Sequence, residues 1–84
     1  MKFPKHPNFV GIEQTPGIYG GSARIAGTRI PVWTLVSYRE AGRTDAEILA
    51  AFPQLNEQRL SLAWEFYVAH RSKIDLEIAA QENA

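Results

Sequence analysis

The spacing of apolar residues divides the chain into three stretches. Up to about Thr15 there is no periodicity, and prolines stand at Pro4, Pro7 and Pro16, so this stretch reads as an extended arm. Gly17-Ile18-Tyr19-Gly20-Gly21 reads as a turn-rich hinge. Ser22 to Ile30 then predicts two very short strands around an Ala26-Gly27 turn, where Gly27 can take a positive φ at little cost. A two-stranded hairpin is marginal by itself in water. This one is expected to lean on helices or on a second chain.

From Pro31 onward the spacing becomes helical. Pro31 suits a first turn, since its missing N–H would have no intrahelical partner there; Val32, Leu35 and Val36 follow at helical spacing, and Gly42 is placed to end the segment in a left-handed cap. Thr44-Asp45-Ala46-Glu47 has the form of a capping box for a second helix, with Ile48, Leu49, Ala51 and Phe52 as its apolar side and Pro53 as its stop. Asn56 is the expected N-cap of a third helix, with Glu57 favourably placed in its first turn. One face of that helix carries Leu60, Ala63, Trp64, Tyr67, Ile74 and Ile78, and another carries Leu62, Phe66, Ala69 and Leu76. So wide an apolar surface implies clasping neighbours or a partner protein. Ser72-Lys73-Ile74-Asp75 could cap a fresh helix, which places a kink near Arg71-Ser72. The expected fold class is mainly α, a three-helix cluster with a short N-terminal β-hairpin.

Length and composition narrow the reading further. With 84 residues this is one small domain, which buries only about 60% of its unfolded surface. The absence of cysteine excludes disulfides, thiol chemistry and thiolate-held zinc. The N-terminal sequence lacks a signal peptide's apolar run and no stretch is long enough to span a membrane, so a cytoplasmic location with no membrane association is expected. The net charge of zero hides a division. Met1 to Arg43 holds six bases against two acids, a net +4, and Thr44 to Ala84 holds three against seven, a net −4. That layout suits an anionic partner at one end and a cationic one at the other, or head-to-tail pairing of two copies.

Catalytic or metal chemistry has little to build on. His6 and His70 have no ligand neighbours at metal spacing, and Ser22, Ser37, Ser61 and Ser72 have no His or Lys at motif spacing. Gly17-x-x-Gly20-Gly21 lacks the Gly-Lys-Ser/Thr of a phosphate loop. No metal, cofactor or enzymatic activity is expected. Asp75 and Glu77 stand four residues after Arg71 and Lys73, as solvated intrahelical pairs would.

Nucleic-acid binding has more. The second helix, Pro53-Gln54-Leu55 and the third helix have helix-turn-helix proportions, which also fit two simply packed helices. In the DNA-binding case Gln58 could meet adenine and Arg59 guanine, while Arg39 and Arg43 hold phosphates. Arg24 and Arg29 flank the hairpin turn and would project together, either toward phosphate or as edge-strand charges. Glu57 and Glu65 work against DNA. For a protein partner, Trp33 is a candidate anchor at the start of the first helix. Phe66, Leu76 and Glu77 are candidates on the apolar and acidic C-terminal helix.

Ile18-Tyr19-Gly20-Gly21 and Arg24-Ile25-Ala26-Gly27-Thr28-Arg29-Ile30-Pro31-Val32 resemble the signature of a small prokaryotic family, domain of unknown function 433 (DUF433). Ala41-Gly42, Glu47-Ile48-Leu49, Phe52-Pro53-Gln54-Leu55 and Ala63 through Tyr67 extend the likeness, which runs from about Gly17 to Ile78. The resemblance implies a homeodomain-like three-helix bundle over residues 18–79, preceded by an arm over 1–17 and followed by a tail over 80–84. It also implies an antitoxin of a toxin–antitoxin pair, acting as a homodimer on a PIN-like nuclease toxin and on operator DNA. Ser22-Ala23 stands where the family commonly has lysine and proline, which removes that lysine from any role here. The alternative is a protein-interaction module that binds no DNA.

Overall fold

The computed structural model describes residues 9–15, 17 and 21–82. Its elements are β1 (Ile12–Glu13), β2 (Arg24–Ile25), α1 (Val32–Glu40), α2 (Asp45–Ala51), α3 (Glu57–Ala69) and α4 (Arg71–Glu82). Most of the expected arm (residues 1–8 and 16) and most of the hinge (Ile18, Tyr19 and Gly20) lie outside the described residues, as does His6.

The hairpin differs from its expected form. β2 pairs antiparallel with β1, placing Ile12 opposite Ile25 and Glu13 opposite Arg24, so its strand partner comes from the stretch read as an arm. Beyond the Ala26-Gly27 turn the return limb shrinks to one bridge between Arg24 and Pro31. The flanking bonds run from Val32 N–H to Ala23 O (2.9 Å) and from Ile25 N–H to Ile30 O (3.0 Å). That pairing uses neither Arg24's nor Pro31's own N–H, so proline is tolerated there and cannot extend the ladder. Gly27 takes φ +74°, as the turn requires. Thr28 clamps the loop: its hydroxyl donates to Ile25 O (2.8 Å) and accepts from Ile30 N–H (3.1 Å).

The helix ends follow the chemistry of their residues. Gly42 (φ +93°) donates its N–H to Arg39 O and Arg43 donates to Tyr38 O, which closes α1 in a Schellman motif. Pro31 is the N-cap of α1, one residue before the first helical position. At α2 the capping box is complete, with Thr44 Oγ1 accepting from Glu47 N–H and Glu47 Oε1 accepting from Thr44 N–H. Asn56 Oδ1 accepts from Arg59 N–H at 2.8 Å and caps α3.

The expected third helix is two helices, so the described chain has four and not three. The break falls at His70 (φ −129°, ψ 36°), whose N–H is shared between Phe66 O and Tyr67 O. The His70 ring stacks on Phe66 with centroids 4.2 Å apart, and Phe9 meets both rings edge-on. Across the break Tyr67 Oη donates to Asp75 Oδ1 at 2.7 Å, and the Arg71 guanidinium lies 5.2 Å from the Tyr67 ring centroid. Asp75 is therefore spent on Tyr67 and not on the expected pair with Arg71. The break lets α4 pack against α1 with Ile74 and Ile78 buried.

α1 is the hub against which α2, α3 and α4 all pack. Its Val32, Leu35 and Val36 join Ile12, Ile25, Ile48, Leu60, Phe66 and Ile74 in one core. Gly11 lies so close to α3 that a Cβ there would sit 2.7 Å from Leu62 Cδ2.

Thr44→Ala removes the Oγ1 half of the capping box and leaves the backbone half, and should cost about 1 kcal/mol of stability by urea denaturation at neutral pH. Hydrogen bonding from the Thr44 backbone N–H, helped by its side chain and by Arg43, holds the Glu47 carboxyl below its ordinary value. A lowered folded pKa gives stability that is present above the unfolded carboxyl range and lost as pH falls through the folded value. The cost of Glu47→Gln, which removes that carboxylate, should accordingly shrink in acid; a cost independent of pH would contradict this. Tyr67 behaves oppositely. Its hydrogen bond to Asp75, with burial and that carboxylate's charge, raises the phenol above its ordinary 10.0. The stability it adds is full below pH 10 and lost as pH rises through the raised value. Tyr67→Phe should flatten the alkaline limb of the stability profile, measured by thermal unfolding across pH.

A candidate interaction surface on the outward side of the third helix

The turn from Phe52 to Asn56 positions α3. Phe52 N–H closes on Ile48 O, Leu55 N–H closes on Phe52 O (2.9 Å), and Leu55 is buried as the pin of the turn. Trp64 fixes the rotation of α3 about its axis. Its indole N–H reaches Asp45 Oδ2 on α2 at 3.5 Å, and the Arg39 guanidinium from α1 lies 4.7 Å from its ring centroid. With Leu60, Ala63 and Phe66 buried inward, the opposite side of α3 carries Glu57, Gln58, Ser61, Glu65 and Val68, all exposed. Val68 keeps 67% of its surface in water, and Leu76, on the outer side of α4, keeps 71%. Among the described residues the ion pairs are Arg24–Glu13 and Arg43–Glu47, so Glu57 and Glu65 face solvent unneutralised by a contact pair.

The residues expected to hold DNA are dispersed. Arg24 is 6% exposed; it ion-pairs with Glu13 (3.6 Å) and donates to Thr15 Oγ1 (3.0 Å). It therefore does not project beside Arg29, and a phosphate role for it is corrected: its guanidinium joins the two strands from inside. Arg29 is exposed on the loop after Gly27. Arg39 covers Trp64, and Arg43 meets Glu47 at 3.6 Å with 60% of its side chain exposed. Gln58 is exposed in the first turn of α3, whereas Arg59 is half-buried and turns its Nη1 back to Gln54 O at 3.5 Å.

Of the residues expected to bind a protein, Leu76 is available and Trp33 is half-buried against the core. Phe66 is 1% exposed, so its expected contact with a partner is corrected to a core role. Glu77 is also turned inward. It accepts the hydroxyl hydrogen of buried Ser22, and its Oε1 is shielded with no hydrogen-bond partner. It thus ties α4 to the segment before β2 and forms no pair with Lys73. Val68 was missed in the sequence because it belongs to neither apolar face. The spacing Glu57, Ser61, Glu65, Val68 marks the outward stripe on which it lies.

Among the described residues no group of three or more His, Asp or Glu side chains could hold a metal ion, and no helix is long and apolar enough to cross a membrane.

The family model described as "Protein of unknown function (DUF433)" matches residues 12–67, from β1 to the last turns of α3, and leaves α4 outside. The crystal structure of a DUF433 member protein from Anabaena variabilis ATCC 29413, at 2.00 Å resolution, is 54% identical to this chain, with a TM-score of 0.79. That likeness covers 82% of this chain and 68% of the other. No curated protein matches. With two thirds of its length matched and a fold shared at this identity, the chain belongs to the DUF433 family.

Proposed function

We propose that this protein is a non-enzymatic interaction module of the antitoxin kind. It binds a nuclease toxin, PIN-like in the reading that the sequence resemblance supports, through the outward surface of α3 and α4. The observation that carries this is the composition of the α3 stripe. Glu57 and Glu65 stand exposed with Val68, and Arg59 in the first turn of α3 is turned back onto Gln54. A nuclease cleft must be cationic to hold its nucleic acid, so an acidic helix with an apolar contact complements it in charge and surface. Unneutralised glutamates oppose the phosphate backbone for the same reason.

A second reading rests on Gln58. It is exposed in the first turn of α3, behind the Asn56 cap, where a helix-turn-helix presents base-reading side chains. In that reading α1–α3 form a homeodomain-like unit and the protein binds operator DNA as a homodimer, with Arg29, Arg39 and Arg43 on phosphates. Action in the cytoplasm belongs to both readings.

Titrated against the ribonuclease encoded beside its gene, the protein should abolish RNA cleavage at stoichiometric ratio. Glu57→Lys with Glu65→Lys should weaken that inhibition about tenfold or more, with the helical circular-dichroism signal unchanged. A neighbouring gene that encodes no nuclease, or a nuclease that stays active in excess protein, overturns the proposal. The DNA reading makes a separate prediction. A gel shift with the upstream DNA should weaken on Gln58→Ala and tighten on replacing Glu57 and Glu65 by Gln; no shift at low salt, with or without partner, removes it.

A further inference from the structure

The junction between α3 and α4 is a single residue wide. His70 (φ −129°, ψ 36°) alone stands between Ala69, which ends α3, and Arg71, which begins α4. Helical hydrogen bonding reaches it from both sides. Its N–H donates to Phe66 O at 3.0 Å, and its carbonyl accepts from Ile74 N–H at 3.0 Å. Neither glycine nor proline stands between Glu57 and Glu82, so no residue type compels a break. Turning His70 to helical angles, about −63° and −42°, would join α3 and α4 into one helix. That helix would run from Glu57 to Glu82, about 39 Å. In it the N–H groups of Arg71, Ser72 and Lys73 meet the carbonyls of Tyr67, Val68 and Ala69.

Side chains hold the bend against that alternative. Tyr67 Oη donates to Asp75 Oδ1 at 2.7 Å. Eight residues of helix rise about 12 Å, so a straight helix cannot make this bond. The other contacts of α4 are of a different kind. Ile74 and Ile78 are buried where α4 packs on α1, and Glu77 accepts from the Ser22 hydroxyl. None of these depends on which chain supplies α4, because every copy carries the same seat. A straightened chain empties its own seat and carries Ile74 and Ile78 into water, where the empty seat of a second copy fits them. When two straightened chains exchange α4 about a twofold axis, each of those contacts is remade. The balance then rests on the hinge and on the entropy of association.

We propose that the α3–α4 junction is a two-state hinge, and that two copies of this chain form a dimer by exchanging α4 through it. In the monomer α4 folds back onto its own α1. In the dimer α3 and α4 are continuous and α4 lies on the α1 of the second copy. The inference rests on the hinge, and on neither the nuclease nor the DNA reading.

The test is refolding from urea at about 10 μM and at about 1 mM, followed by size-exclusion chromatography with light scattering. The wild type should emerge monomeric from the dilute sample and in part dimeric from the concentrated one. In dimers formed from labelled and unlabelled chains, isotope-filtered NMR should show the Ile74 or Ile78 methyls of one chain against α1 of the other. Tyr67→Phe removes a bond that only the bent form makes, in both chains of the dimer. It should lower the dissociation constant about tenfold. Two glycines inserted between His70 and Arg71 break the continuous helix and should abolish the dimer, with the helical circular-dichroism signal retained. A wild-type chain that stays monomeric at about 1 mM would overturn the proposal. So would a dimer whose α1–α4 contacts all stay within one chain, or one that persists with the glycines inserted.

Discussion

Everything in this small fold depends on the burial of one short helix. α1 has nine residues, of which Val32, Leu35 and Val36 are withdrawn from water, and the other three helices all pack against it. A chain of 84 residues has too little interior to give each helix its own core. Sharing α1 solves this, and the sheet closes the remaining side with Ile12 and Ile25. The arrangement has a consequence for function. Helices that all face inward to one hub leave their outward stripes unpartnered, and those stripes are where Glu57, Glu65, Val68 and Leu76 are found.

The break at His70 matters for the same reason. Were α3 and α4 continuous, Ile74 and Ile78 would run on past the hub and stay in water. Stacking of His70 on Phe66 and the Tyr67–Asp75 hydrogen bond hold the bend, and Ser22 with Glu77 ties α4 to the strand side. α4 lies beyond the stretch matched by the family model, yet two of its isoleucines complete the core. Its outer side, with Leu76, is free to differ in what it contacts.

Local chemistry made much of this legible beforehand. The Thr44–Glu47 box, the Asn56 cap, the Gly42 terminus and the Ala26-Gly27 turn each depend on a few adjacent residues, and each is present. What escaped depends on distant partners. Nothing near Ile12 in the chain announces a strand, because its ladder is supplied by Ile25. Arg24 reads as a surface base until Glu13 is found opposite it, and Glu77 reads as a solvated acid until Ser22 is found beneath it. Phe66 is covered by Phe9, which lies far away in the chain, as well as by His70 one turn on. The candidate surface was legible in part. Its acids and Leu76 stood out, whereas Val68 emerges only once the helices have chosen their inward sides.

Under the proposed pairing, a nuclease covers the outward sides of α3 and α4, where Val68 and Leu76 stand in water. An NMR titration that follows the methyl resonances of Val68 and Leu76, as the nuclease encoded beside the gene is added to labelled protein, decides it. If that pairing holds, both shift and saturate at an equimolar ratio, while the buried methyls of Leu35 and Ile48 keep their positions. A complex that forms and leaves the Val68 and Leu76 methyls unmoved would contradict it.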